Sequence, residues 1–309
     1  MSSVAALVAI GVASAALLYH ATVIAPRRLR VTHVDAPIRG LPTEFDGFTI
    51  VALGDLHCGS SPQAFRHLER AVELAQQAKP DLVALLGDYG LTFRRFPRGS
   101  ARSLRDAAPV LERCLGSLRA THGTVAILGN HDYDVSIERV REILRGAGAR
   151  VLSNEYVCLT RGDATLAVSG VGDLKCGVVD PRAGLDGVSD GTPRIVLTHN
   201  PDGVLVFERG IRVDLALAGH THGGQVVLPV IGALARHCSV CDRDCATGWV
   251  RRSPVPLYVT AGVSSVIPIR IGSAPEVLVV RLRAVSPSVS RLTPSAPCVG
   301  TRPPQTPVA

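Results

Sequence analysis

The stretch "LALAGHTHGGQ", residues 215–225, is apolar through Ala218, then places His220 and His222 one residue apart and follows them with Gly223 and Gly224. An apolar core gains nothing from two imidazoles. A short apolar run that ends abruptly in polar groups reads as a buried strand whose carboxyl end opens on a site, although taken alone the same residues also suit a surface turn. Four further stretches have this form. "FTIVALG" (48–54) leads into Asp55 and His57, "DLVALLG" (81–87) into Asp88, "GTVAILG" (123–129) into Asn130 and His131, and the run at 193–198 into His199.

Between the first strands lie segments of helical period. Residues 62–79 put Leu68, Val72 and Ala75 on one face, and 101–119 and 136–147 repeat the pattern. Strands alternating with amphipathic helices predict a mostly parallel sheet. The second half is richer in strands, at 155–160, 164–169, 193–198, 213–218, 225–228, 256–261 and 276–283, which predicts a second sheet packed on the first. In open α/β sheets a site forms beyond the carboxyl ends of the strands. Five polar clusters therefore converge on one edge.

Singly, each member of that set has an ordinary reading. Asp55 and Asp88 could cap helices, Asn130 could sit in a turn, and His199 before "NP" could be a loop histidine. Together, two carboxylates, an amide oxygen and several imidazoles suit borderline divalent transition metals. They are too many for one tetrahedral ion and suit two ions about 3.5–4 Å apart that share a carboxylate and an activated water. Charge points to phosphate chemistry: two divalent cations outweigh two aspartates and a hydroxide, leaving a positive site for a phosphate oxygen. A third aspartate at position 130 would erase that excess.

The ordered series "GDLH…GDYG…GNHD…THN…GHTHGGQ" resembles the calcineurin-like metallophosphoesterases. More narrowly it is similar to their bacterial membrane-linked branch of YkuE/YaeI-like phosphodiesterases, as are "LPTEFDGFTIVALGDLHCG" and "YVTAGVSSVIPIRIGSAPEVLVV". The resemblance spans about residues 40–283. It implies an α/β fold, a four-layer α/β/β/α sandwich of two mixed sheets. It implies that Asp55, His57, Asp88 and His222 hold one metal, that Asp88 bridges to a second, and that Asn130, His199 and His220 complete the second. The ions would be manganese, iron or zinc. His131 would not bind metal but would stabilise charge or protonate the leaving oxygen. Many relatives carry an aspartate three residues after the bridging one, where it orients that histidine. Here the position is Leu91, so His131 needs Asp132 or another acid instead.

The rest of the 309 residues set the context. Residues 4–25 hold no charge and are nearly all apolar, and about 20 such residues span a bilayer as a helix. No Lys or Arg precedes them, and Arg27, Arg28 and Arg30 follow. The positive-inside rule then puts the following domain in the cytoplasm as a single-pass membrane protein, while a cleaved export signal with an atypical start is the alternative. Residues 46–283 fit one catalytic domain. Residues 284–309, rich in Pro, Ser and Thr, read as a disordered tail. The net charge of +7 is carried almost wholly by arginine and suits anionic headgroups. Aromatic content of 4% is too low for a base-stacking surface, so no nucleic-acid binding is expected.

Two segments stand apart. "HCSVCDRDC", with His237, Cys238, Cys241 and Cys245, could be a zinc or redox-sensitive site, or a loop with free or locally bridged thiols. "FRRFPRGSARSLR" (93–105) could be a solvated helix entry or a basic-apolar lip for headgroup phosphates. The expectation is a membrane-anchored dinuclear phosphoesterase acting on a phosphodiester or pyrophosphate, in a lipid or nucleotide conjugate. A phosphomonoesterase and a non-catalytic metal-binding membrane scaffold are the alternatives.

Overall fold

The computed structural model describes residues 3–90, 97–207, 211–235, 237–241 and 246–285. The chain begins with helix α1 (Ser3–Tyr19), exposed along its described length, and continues through short π and 3-10 turns to Arg27. From there it passes directly into strand β1 (Arg30–Arg39). The expected βα alternation follows: β2 (Thr49–Leu53), α2 (Pro62–Gln77), β3 (Leu82–Leu85), α3 (Pro97–Gly116) and β4 (Thr124–Ala126). Then come α4 (Asn130–Val135), α5 (Ile137–Gly146) and β5 (Ala149–Val151). The strand-rich half comprises β6 (Glu155–Arg161), β7 (Ala164–Gly170), β8 (Arg194–Thr198) and β9 (Leu215–Ala218). It continues with a small hairpin of β10 (Val227–Leu228) and β11 (Gly232–Ala233), then β12 (Gly248–Trp249), β13 (Leu257–Val259) and β14 (Glu276–Val285).

Two six-stranded mixed sheets result, ordered β1-β14-β2-β3-β4-β5 and β12-β13-β9-β8-β7-β6. The run β2 to β5 is parallel, as is the run β7-β8-β9-β13. The central strands β3, β8 and β9 are buried on both faces, which is why they read as unbroken apolar runs rather than alternating ones. Ile50, Leu82, Val168, Leu197 and Leu217 meet in the core between the sheets. Leu68, Val72, Leu111 and Ile143 cover the outer face of the first sheet from α2, α3 and α5. The outer face of the second sheet is covered by the 3-10 turns Ala183–Leu185 and Pro201–Val206 and by loop residues such as Phe207 and Val240. That fourth layer is thinner than the helical one.

Strand β1, placed before the expected start at residue 46, pairs in parallel with β14 from Arg30 to Arg39. The catalytic fold therefore begins within three residues of the N-terminal segment's last turn at Arg27. At the other end, Ala284 and Val285 finish β14, with the Ala284 amide donating to Asp46 Oδ1 at 2.9 Å. The expected tail lies outside the described residues from 286 onward, as do the side chains of most of the 93–105 segment.

Candidate metal centre

The loops after β2, β3, β4, β8 and β9 meet at one edge, as the strand-end clusters predict. Pairing continues past the strands: the amides of Asp55, His57 and Cys58 donate to the carbonyls of Gly87, Asp88 and Tyr89 at 2.8–3.0 Å. Gly219 donates likewise to His199. Two loops are thereby held edge to edge and their side chains point into a shared space.

Asp55, His57 and His222 form one group whose ligand atoms lie within 4.8 Å of one another, and Asp88, His199 and His220 form a second. All six side chains are buried. His57 Nε2 lies 3.3 Å from His222 Nε2, and His220 Nδ1 lies 3.2 Å from His199 Nε2. One atom joins the groups: Asp88 Oδ2 is 3.2 Å from His199 Nε2 and 3.8 Å from His57 Nε2. Asp88 Oδ1 accepts the His131 amide at 2.9 Å, so the carboxylate is fixed in this orientation.

Backbone strain is concentrated here. Nine non-glycine residues among those described have positive φ, and five of them are Asp55, His57, Asp88, His220 and His222. Such conformations cost about 1–3 kcal/mol each and persist where the surroundings over-determine them. Glycines admit the close approach: a Cβ on Gly129 would meet Asp88 Oδ1 at 2.3 Å, and one on Gly219 would meet Asp55 Oδ2 at 2.7 Å.

The imidazoles are oriented from behind. His199 Nδ1 donates to the Leu86 carbonyl at 2.7 Å and His222 Nδ1 to the Ser264 carbonyl at 3.2 Å, leaving each Nε2 lone pair facing the centre. Histidines that bind metals are held in this way. Burial pushes Asp55 up to about 7 and His57 down to about 4, and it holds His222 well below the usual imidazole range. Burial opposes charge on Asp88 and His199 too, but the pair overcomes it. His199 holds the Asp88 carboxyl well below the usual carboxylate range, and Asp88 pushes His199 up to about 10.

The donor set fits divalent metals. Asn130 Oδ1 is a buried oxygen that accepts no hydrogen bond. Leaving such a group unmatched costs about 1–3 kcal/mol, a cost that a cation removes. Mixed carboxylate, amide and imidazole donors are the chemistry of manganese, iron and zinc rather than of soft thiolate sites.

The structure brings every expected site residue to this edge. Of the acids that could stand beside His131, it selects one. Asp132 is fully buried and faces away from it: Oδ2 accepts the amides of Asp88 and Gly129 at 2.9 and 2.8 Å, and Oδ1 accepts that of Tyr89 at 3.0 Å. Asp132 stitches two site loops together. The acid beside His131 is Asp134, with Oδ2 3.3 Å from Nδ1. Leu91 lies outside the described residues.

Cys238 and Cys241 are joined in a disulfide, so they do not offer two thiolates to a further metal. His237 instead stands with its ring 6.0 Å from that of His220, and Cys245 lies outside the described residues.

Two residues escape a motif reading. Lys175 Nζ lies 2.8 Å from His220 Nε2 at the rim. Arg270 is fully buried, donating to the carbonyls of His222, Ala261 and Ser264 and so fixing the His222 backbone. Each had a sequence signal in isolation: Lys175 is one of two lysines, and Arg270 is the only charged residue between Ser253 and Pro275.

A two-sheet sandwich with paired Asp/His groups at its strand ends defines a metal-dependent phosphoric ester hydrolase. Residues 48–224 match the calcineurin-like phosphoesterase family, and the chain belongs to it. It is 34% identical over 238 residues to "Phosphodiesterase YaeI" of Escherichia coli (strain K12), covering 76% of this chain and 82% of that protein. It is 29% identical over 278 residues to a "Transmembrane protein with metallophosphoesterase domain" of Danio rerio, covering 85% of this chain and 60% of the relative. It is 23% identical over 311 residues to "UDP-2,3-diacylglucosamine pyrophosphatase LpxG" of Chlamydia muridarum, covering 83% of this chain and 90% of that protein.

Proposed function

We propose that the chain hydrolyses a phosphodiester or pyrophosphate bond in a lipid or nucleotide conjugate at a membrane surface. The carrying observation is Asp88 Oδ2, which reaches an imidazole of each group and is suited to bridge two ions. Asp55, His57, Asp88 and His222 would hold one ion, and Asp88, Asn130, His199 and His220 the other. The ions would supply positive charge against the phosphoryl oxygens and lower the pKa of a water.

The chain's own groups do the rest. His131, steadied by Asp134, stands beside the centre, with its ring 5.4 Å from that of His57, and can deliver a proton to the leaving oxygen. Lys175, whose Nζ lies 2.8 Å from His220 Nε2, adds a positive charge at the rim for an anionic substrate. The YaeI and LpxG names support a phosphodiester and a lipid-linked pyrophosphate respectively. The test is a substrate series on metal-loaded protein: aryl phosphodiesters are cleaved faster than aryl phosphomonoesters, and the reverse order would favour a monoesterase.

The segment Val4–Arg27 is long and apolar enough to cross a membrane. We infer a single-pass anchor with the domain on the cytoplasmic face, from the arginines at 27, 28 and 30. The Cys238–Cys241 disulfide favours the opposite reading, an exported domain, because such bonds persist in oxidising compartments.

A further inference from the structure

Beyond the catalytic centre, the described surface carries one apolar feature that the phosphoesterase chemistry does not use. The tip of the β10–β11 hairpin exposes Val230 at 89% and Ile231 at 61%, and Leu234 just beyond it is 59% exposed. No charged residue occurs from Gly223 to Ala235, in a chain otherwise dense in arginine. Ile267 and Ile269, 56% and 36% exposed, lie on the neighbouring loop. Large apolar side chains grouped on a surface mark a contact site.

The backbone ties this surface to the end of the apolar N-terminal segment. The Arg270 amide donates to the Ala21 carbonyl at 2.9 Å. The next residue turns the other way: Ile271 receives the Val227 amide at 2.8 Å and donates its own to Gln225 at 2.8 Å. Residues 269–271 are thus a narrow bridge with the anchor's last turns on one side and the hairpin's base on the other. At ordinary strand spacing the two are about 10 Å apart. Gln225 Nε2 also donates to the carbonyls of Ile267 and Ile269, which holds both loops in one unit.

Length decides how deep that unit sits. The freely exposed α1 has 17 residues, or about 25 Å of helix, against a hydrocarbon core of about 30 Å. The remaining length must come from residues 20–24, but Ala21 is already buried against the domain. A bilayer that covers the apolar segment therefore reaches the surface on which Ala21 is packed. Arg27 and Arg28 are exposed beside it, at the level where anionic headgroups attract them.

We propose that Val230, Ile231 and Leu234, with Ile267 and Ile269, form a second membrane contact that dips into the outer acyl region of the leaflet at the foot of the anchor. The catalytic edge is coupled to it directly, because the Arg270 that hydrogen-bonds the anchor also holds the His222 carbonyl. The site is then clamped at headgroup height, where it meets phosphate esters of membrane-resident molecules and not their acyl chains. This rests on the anchor reading above.

The single tryptophan, Trp249, makes the test direct. In a Trp249→Phe background, one tryptophan is placed at a time by Ile231→Trp, Ile269→Trp, Val12→Trp within α1, or Arg150→Trp on the far sheet edge. The full-length chain is reconstituted into phosphatidylcholine vesicles whose acyl chains are brominated near the headgroup or near the methyl end. The expected result is loss of emission for Ile231→Trp and Ile269→Trp with the headgroup-proximal bromines, loss for Val12→Trp with the deep ones, and no loss for Arg150→Trp. Retained cleavage of a soluble aryl phosphodiester shows that each variant is folded. Unquenched Ile231→Trp with quenched Val12→Trp overturns the second contact and leaves the anchor standing. That result would also be obtained if a protein partner covered the hairpin. If Val12→Trp is unquenched as well, the anchor reading fails and the second contact falls with it. Quenching of Arg150→Trp would show non-specific burial of the whole domain and equally overturn the proposal.

Discussion

His131 Nδ1 lies 3.3 Å from Asp134 Oδ2, three residues on in the same short helix. The carboxylate fixes the ring from Nδ1, a positioning role filled in many relatives from the place that Leu91 occupies here. General-acid assistance contributes about 10²–10⁴-fold where the leaving group needs it. His131→Ala should therefore slow poor leaving groups by that order and good ones little, and Asp134→Asn should show the same trend with a smaller loss. The check is rate against leaving-group pKa for both variants. An equal loss at every pKa would mean that His131 is not the acid.

Among the described residues, Asp88 is the only carboxylate shown within 4 Å of imidazoles from both groups. Asp88→Asn should strip metal from both positions, whereas His220→Ala should affect chiefly the second. Elemental analysis of gently purified protein should approach two divalent ions per chain for the parent and fall toward zero for Asp88→Asn. A parent stoichiometry that stays at one after reconstitution would defeat the dinuclear reading. Chelation should abolish turnover, and manganese, iron or zinc should restore it to different extents.

Much of this centre is legible in the sequence because β2, β3, β4, β8 and β9 are buried on both faces. Each apolar run stops within two residues of its strand's end, and a candidate ligand follows one or two residues later. The same logic misses β1. "RVTHVDAPIR" is an edge strand with charges and a proline, so it carries no continuous apolar signal, and its place is set by pairing with β14 far along the chain. Asp134 and Arg270 are hidden for a different reason. Asp134 acts through its contact with His131, and Arg270 through three backbone carbonyls that the fold brings together, and neighbouring Asp132 offers an equally good carboxylate to a reader of sequence. Its three amide contacts reveal a scaffolding role instead.

Gly219 precedes the two histidines with no room for a side chain: a Cβ there would meet Asp55 Oδ2 at 2.7 Å. Gly219→Ala should push that carboxylate aside while leaving the two sheets intact. The expected outcome is weaker metal binding at the Asp55 position and at least tenfold lower activity at limiting metal, by analogy with the loss on disturbing metal-orienting groups, about 10–100-fold. Excess metal should recover part of it. Circular dichroism should match the parent; a collapsed spectrum would assign the glycine to folding instead.

The anchor's orientation sets which face of the membrane the substrate occupies. With arginines at 27, 28 and 30, protease added to intact cells should spare the domain and lysis should expose it. Cleavage in intact cells would place the domain outside, in keeping with the Cys238–Cys241 disulfide.

His67 gives the fold a pH dependence separate from the metal centre. It lies on the buried face of α2 at 4% exposure, and burial, reinforced by the positive charge of Arg270, pushes its imidazole down to about 4 from 6.5. The folded chain therefore keeps His67 neutral where the unfolded chain takes up a proton. Above pH 6.5 neither state is charged there and the full stability is present. As pH falls from 6.5 toward 4 the unfolded state gains protons that the folded state refuses, and stability drops. The loss from this one residue is about 2–3 kcal/mol across that window. The buried His57 and His222 add to the slope in the same direction and His199, held protonated by Asp88, opposes it, so the test is a difference. Denaturant midpoints of metal-free protein should be measured from pH 7 to pH 4.5 for the parent and for His67→Gln. The variant should give a shallower slope, by up to about one proton taken up per molecule on unfolding. Parallel curves would mean that His67 is protonated in the fold or reached by water.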